Sequence, residues 1–283
     1  MTKMSIRGIS LNVKVFGHGY NLVLMHGGPS ADLYTLMAFK PCSDQFTLVF
    51  YDHRCNGRSE GADVSTMTME NLTADADALR LALGFEQWAV LGHSFGGYVA
   101  LEYALRYPHS LSHLVLLDTG AENSWAQENS PKVLAQRGFS PEIVDLCRRY
   151  FNGLIEPKDV FPSLMKLSDA YNPYTSLSQL PRMLYWGLKT KMRPETFIYS
   201  ETHFLKGWTI RDRLGEIRVP TLVMAGRQDF IFPPEHQQEL AAMIPNARLV
   251  LIDRAGHNPH DERTAEALRA VRDFLSSKIP NNT

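Results

Sequence analysis

Val90-Leu91-Gly92-His93-Ser94-Phe95-Gly96-Gly97 joins two patterns of different period. Before it, Trp88 to Leu91 is an apolar run of the kind that forms a buried strand; after it, Tyr98 to Tyr107 carries apolar residues at helical spacing. A strand, a sharp turn with a serine at its apex and a helix form the context that a Gly-x-Ser-x-Gly nucleophile elbow requires. Gly92 and Gly96 are expected where strand and helix backbones come too close for a Cβ. Ser94 is expected in a strained conformation that lifts its hydroxyl out of the sheet.

Working outward, Ile9 to Phe16 alternates as a strand, and Asn21 to Met25 is a second strand that runs into His26-Gly27-Gly28-Pro29. Gln45 to Tyr51 is a third, closed by Asp52-His53-Arg54-Cys55-Asn56-Gly57-Arg58-Ser59. Leu72, Ala76, Leu79 and Leu83 share one helical face, with Thr68 as N-cap and Gly84 as stop. Leu114 to Leu117 is a further strand, followed by Asp118-Thr119-Gly120. Such alternation predicts a mostly parallel central sheet flanked by helices.

From 121 to 218 the alternation stops. That stretch is broken by prolines and rich in aromatics, and it reads as an inserted helical cap between two parts of one α/β core, 1–120 and 219–283. Strand and helix then resume at Thr221–Ala225, Pro233–Met243, Arg248–Ile252 and Thr264–Ser276, and Ile279 to Thr283 reads as a frayed tail.

The bulk numbers narrow the function. The chain has 283 residues, enough for a sizeable core, and 29 basic against 30 acidic residues, so no nucleic-acid partner and no membrane surface is expected. No apolar run reaches membrane-spanning length, and the first residues show no secretory h-region. Three widely spaced cysteines read as free thiols, and a cytoplasmic protein is expected. His26, His53, His93 and His257 lack metal-ligand spacing, so neither metal nor cofactor is expected.

A serine hydroxyl needs a base to take its proton, and the base needs a carboxylate to fix its tautomer. In open parallel sheets these partners sit on loops at strand C-termini. Gly226-Arg227-Gln228-Asp229 and Ala255-Gly256-His257 follow the last two strands, which makes Asp229 and His257 the candidates, with Asp118 the competing acid. The oxyanion donors are expected to be the backbone N–H groups of Phe95 and Gly28. The His26 and His93 side chains are expected to brace loops, and Phe95 and Tyr98 to be either core or pocket wall.

Taken together, His26-Gly27-Gly28-Pro29, Asp52-x-Arg54-x-x-Gly57-x-Ser59, the Ser94 elbow, Gly226-Arg227-x-Asp229 and Gly256-His257 resemble the α/β-hydrolase superfamily over nearly the whole chain. Cys55 stands where that family's first loop glycine is usual. The His-Gly-Gly-Pro loop resembles proline iminopeptidases, but Ser30 replaces a glycine usual there, and the elbow is more similar to those of small-molecule esterases and acyl-homoserine lactonases. The resemblance implies a serine hydrolase for a small carboxylic ester or lactone, N-acyl-homoserine lactone being a candidate. Its small-molecule substrate would have an apolar acyl part, walled by cap aromatics and by Met165, Met183 and Met192. An aminopeptidase releasing N-terminal proline is the alternative, and would need cap carboxylates such as Glu122, Glu128, Glu195 or Glu201. A ligand receptor with the hydrolase fold is the third reading. Oligomeric state does not follow from these residues.

Overall fold

In the computed structural model, which describes residues 2–61 and 63–276, eight strands form a single sheet in the order β1-β2-β4-β3-β5-β6-β7-β8. The strands are β1 (Thr2–Ile6), β2 (Ile9–Phe16), β3 (Tyr20–Met25), β4 (Phe46–Tyr51), β5 (Trp88–His93), β6 (Leu111–Leu117), β7 (Thr221–Gly226) and β8 (Ala247–Ile252). β2 runs antiparallel to β1 and β4; from β4 to β8 every pairing is parallel. This is the mostly parallel sheet that the alternation predicts. β1 was not expected: most of it is exposed, so it carries no apolar alternation to read.

Alternate residues of the central strands feed two cores, as a period of two demands. Val23, Met25, Val90, Leu114, Leu116 and Val223 face α1 (Met69–Ala82), α2 (Phe95–Arg106) and the helices that follow β6. Leu22, Leu24, Leu91, Val115, Leu117 and Met224 face the 3₁₀ turns of Leu33–Asp44 and the C-terminal helix. Thr68 caps α1 as expected, its side chain accepting the Asn71 N–H at 3.2 Å.

Between β6 and β7 lie α3 (Ser124–Gln136), α4 (Pro141–Phe151), α5 (Val160–Lys166), α6 (Ser168–Tyr171), α7 (Leu180–Lys189) and α8 (Pro194–Tyr199), followed by a π turn at Ser200–Phe204. Pro141, Pro181 and Pro194 occupy first turns, where a missing N–H costs nothing. The segment's two ends are tied together. Ile210 N donates to Ala121 O at 2.9 Å and Asn123 N to Trp208 O at 3.1 Å, so the chain leaves and rejoins the α/β layer at adjacent points. After β7 come α9 (Pro234–Met243), α10 (Pro259–Glu262) and α11 (Thr264–Ser276). The tail Ile279 to Thr283 lies outside the described residues. No described helix is long and apolar enough to cross a membrane.

α2 begins at Phe95, directly after the serine, and not at Tyr98 where the apolar pattern starts. The reason is contact. A Cβ on Gly96 would stand 2.1 Å from Met25 O and 2.6 Å from His26 O, and one on Gly92 would stand 2.4 Å from Gly96 O. Backbone atoms of a central strand cannot retreat. Gly96→Ala is therefore expected to destabilise the fold by about 3 kcal/mol or more, read as a lowered midpoint in urea. Gly187→Ala, on exposed α7 with nothing within 4 Å, should gain a few tenths of a kcal/mol.

Candidate active site

Ser94 sits between β5 and α2 with φ 52° and ψ −120°. This is a strained backbone for a residue with a Cβ, as the elbow requires. The turn is locked from below: Ser94 N donates to Leu117 O at 2.9 Å, and Thr119 Oγ1 donates to Ser94 O at 2.7 Å. Phe95 is the first residue of α2, and a first-turn N–H has no acceptor within its helix. It is thus available to a ligand over Ser94.

His257 and Asp229 meet across the sheet's C-terminal edge. His257 Nδ1 lies 2.9 Å from Asp229 Oδ2, and both side chains are buried. Asp229 Oδ1 accepts the Ile231 N–H at 2.8 Å. Burial pushes the Asp229 carboxyl up, but His257 and the N–H groups of Ile231 and Phe232 outweigh it and hold the acid below its usual range. With Nδ1 engaged, Nε2 is the nitrogen left to take a proton. The His257 loop hangs on the inserted segment, His257 N donating to Tyr171 O at 2.9 Å, and is tied to α10 through Gly256 N and Glu262 Oε2 at 2.5 Å. Arg137, at the C-terminal cap of α3, fixes the Asp229 loop by donating to Gln228 O at 2.7 Å and Asp229 O at 2.9 Å.

Gly28 borders the same cavity as Ser94 and Phe95, with φ 63°. Its loop is braced as expected for His26, whose Nε2 accepts the His53 N–H at 3.1 Å. His93 donates from Nε2 to His257 O at 3.0 Å. Burial lowers the pKa of His26, His53 and His93, so these rings serve as neutral struts. Ser30 holds φ 140° and Cys55 holds φ 60°, conformations that favour glycine. Both loops keep the glycine geometry despite their side chains. Hydrogen bonds compensate: Asn56 Oδ1 accepts the Ser30 N–H at 2.6 Å, and Thr196 Oγ1 donates to Cys55 O at 2.7 Å.

The cavity over Ser94 measures about 60 Å³. Rings of Phe95, Tyr98, Tyr150, Tyr171, Phe197 and Phe232 line it, so Phe95 and Tyr98 are pocket residues as well as core. The His257 ring packs on two of these walls, its centroid 5.5 Å from Tyr171 and 6.1 Å from Phe232. One end is polar. Glu201, on the π turn, is buried with Asn123 Nδ2 donating to its Oε2 at 3.3 Å, and burial raises its pKa to about 7. A larger cleft of about 350 Å³ runs beside β8 and α11, lined by Arg248, Arg269, Glu266 and Asp273, and touches none of these residues.

Other expectations fare differently. Of the four glutamates considered for an ammonium site, only Glu201 reaches the cavity; Glu122 lies 3.8 Å from Arg211, and Glu128 and Glu195 are exposed. Met165, Met183 and Met192 do not wall the cavity, and Met165 is 54% exposed. Met165 stands on α5 and Met183 on α7, helices of seven and ten residues, and Met192 on the link between α7 and α8; spacing on segments this short does not show which side chains face inward. Among the described residues the cluster compact enough to hold a cation is Asp118, Asp229 and His257, within 4.8 Å of one another. Asp229 already pairs with His257 there, and burial, followed by the Asp229 charge, raises the Asp118 pKa well above its ordinary value.

Comparison with known proteins places this geometry. The family model for the alpha/beta hydrolase fold matches residues 20–264. The proline iminopeptidase PfmaB of Pestalotiopsis fici is 28% identical over 265 residues, covering 90% of this chain and 91% of that one. A thermophilic esterase from Thermogutta terrifontis is 27% identical with a TM-score of 0.71, covering 98% of both chains. An alpha/beta fold family hydrolase from Bacillus anthracis shares the fold at a TM-score of 0.80 and 21% identity, covering 97% of this chain and 98% of that one. The elbow serine, the strand order and the family match agree: this chain belongs to the α/β-hydrolase family.

Proposed function

We propose that this hydrolase cleaves a small carboxylic ester or lactone through an acyl-enzyme on Ser94. The observation that carries the reading is the cavity over Ser94, small and walled largely by aromatic rings, which suits an uncharged acyl group. Ser94 Oγ attacks the acyl carbon as its proton passes to His257, and Asp229 stabilises the imidazolium that forms. The N–H groups of Phe95 and Gly28 receive the oxyanion. The alcohol leaves with the proton from His257, or stays tethered in a lactone, and water then releases the acid. The helices between β6 and β7 act as the cap over this site.

A cavity of about 60 Å³ has room for an acyl group of a few heavy atoms. Short esters and short-chain lactones therefore fit as the structure stands, whereas a medium-chain N-acyl-homoserine lactone needs the cap helices to move. Proton release followed by pH-stat should show p-nitrophenyl acetate and butyrate turned over faster than octanoate. Ser94→Ala should lower kcat by about three orders of magnitude or more. Octanoate turned over faster than acetate, or acetate turnover surviving in Ser94→Ala, would contradict the reading.

A second reading rests on Glu201. A carboxylate buried in this cavity could pair with the free ammonium of an N-terminal residue, and PfmaB bears the name proline iminopeptidase. Under that reading Glu201→Gln abolishes hydrolysis of a prolyl amide while sparing acetate esters. Under the leading reading prolyl amides are not turned over.

Glu201 also predicts a pH dependence of stability. Its folded pKa of about 7 lies above the usual 4.5, so the unfolded chain sheds this proton first as pH rises. Its contribution is absent below about pH 4, turns against folding between about 4.5 and 7, and is complete near pH 8, on the order of 3 kcal/mol. Relative to the parent chain, Glu201→Gln should thus be more stable at pH 8 than at pH 5. A difference in urea midpoint that does not grow with pH would count against this.

A further inference from the structure

The leading reading uses one buried acid beside His257, but the fold supplies two. Asp118 directly follows β6, beside the β7 strand that leads to Asp229, and is wholly buried. Its backbone is held at φ 44°, a strained position for a residue with a Cβ, with Asp118 N donating to Met224 O at 2.9 Å. Oδ1 accepts the Gly226 N–H at 2.9 Å. Oδ2 has no donor facing it among the described residues, yet Asp118 lies within 4.8 Å of both the Asp229 carboxylate and a His257 ring nitrogen.

Two buried carboxyl groups this close cannot both ionise. Asp229 has His257 and two N–H groups to stabilise its charge, and so is the ionised member. Asp118 meets burial and then the Asp229 charge, both of which raise its pKa well above normal. Glu262 of α10 faces the pair as a further carboxyl, engaged by the N–H groups of Gly256 and Tyr174, and Arg137, just after α3, approaches Asp229 from its backbone side. A neutral carboxylic acid has one O–H to donate. Since Oδ1 is already an acceptor, the proton belongs on Oδ2, the atom left without a partner.

We infer that Asp118 is a positioning residue: its Oδ2–H donates to the Asp229 carboxylate and so fixes the acid that orients His257. The hydrogen bond also draws charge from Asp229, which keeps the acid from holding the proton on His257 too tightly. Asp118 touches no substrate and acts through Asp229. The inference rests on the assignment of Asp229 and His257 as acid and base, not on which ester is cleaved.

The test reads serine reactivity without a natural substrate: the rate at which a fluorescent fluorophosphonate labels Ser94, followed from pH 5 to 9. Asp118→Ala should slow labelling about tenfold at pH 7 and move the acid limb of the profile up by about one pH unit. Asp118→Asn keeps a donor in the same place, and should recover most of the lost rate and the original limb. In an Asp229→Asn background Asp118→Ala should add no more than about twofold, because the residue it works through is gone. An unmoved limb, equal losses in the Ala and Asn variants, or a full effect without Asp229 would overturn the inference.

Should Asp118→Ala not fold, infrared difference spectra of the parent chain against Asp118→Asn at pH 8 decide the matter. Loss of one protonated carboxyl band supports the shared proton, and no loss overturns it. If the parent chain is not labelled at all, the assignment of Ser94 falls while the infrared result still reports on Asp118.

Discussion

The structure depends on one close approach. β3, β5 and the start of α2 come together with less room than a single methyl group needs, and glycines at 92 and 96 make the approach possible. Because the helix must start there, the residue between strand and helix has nowhere to go but φ 52°. That strain puts the Ser94 hydroxyl on the rim of a cavity whose other borders are Gly28, Phe95 and the aromatic wall. Packing thus sets the position of the candidate nucleophile before any catalytic hydrogen bond is made.

The second constraint is charge in a buried place. Around His257 the fold places Asp229, Asp118 and Glu262, all removed from water. Such a group is tolerable only if most of it is neutral or satisfied by N–H donors, and the structure divides the roles accordingly. Asp229 receives backbone N–H groups and an imidazole; Glu262 receives two backbone N–H groups; burial and the Asp229 charge push the Asp118 carboxyl up. The three histidines near the loops are held neutral by burial, so they add no cation to this balance.

What could be read from the sequence follows from how local each signal is. The elbow, the strands around it and the loops bearing Asp229 and His257 are written in contiguous residues, and the structure brings Asp229 and His257 to 2.9 Å. Glu201 could be named only as one of four similar glutamates, because the π turn that points it inward has no sequence period of its own. The same holds for Met165 and Met183: short helices joined by prolines do not declare which face meets the sheet. Asp118 was visible as a rival acid, but its place as a partner to Asp229 depends on the pairing of β6 with β7, a contact between residues more than a hundred positions apart. Ser30 and Cys55 show the opposite case, where a residue unlike the family's glycine still adopts the glycine conformation because Asn56 and Thr196 hold the loops in place.

The most direct measurement is mass spectrometry of the protein quenched in acid during turnover of a short-chain ester, with peptide mapping of any acyl adduct. The account predicts one acyl group, carried on the peptide containing Ser94, and no such adduct when His257 is replaced by Gln. An adduct on another residue, or ester turnover with no acyl-enzyme under conditions where release of the acid is slow, would contradict it.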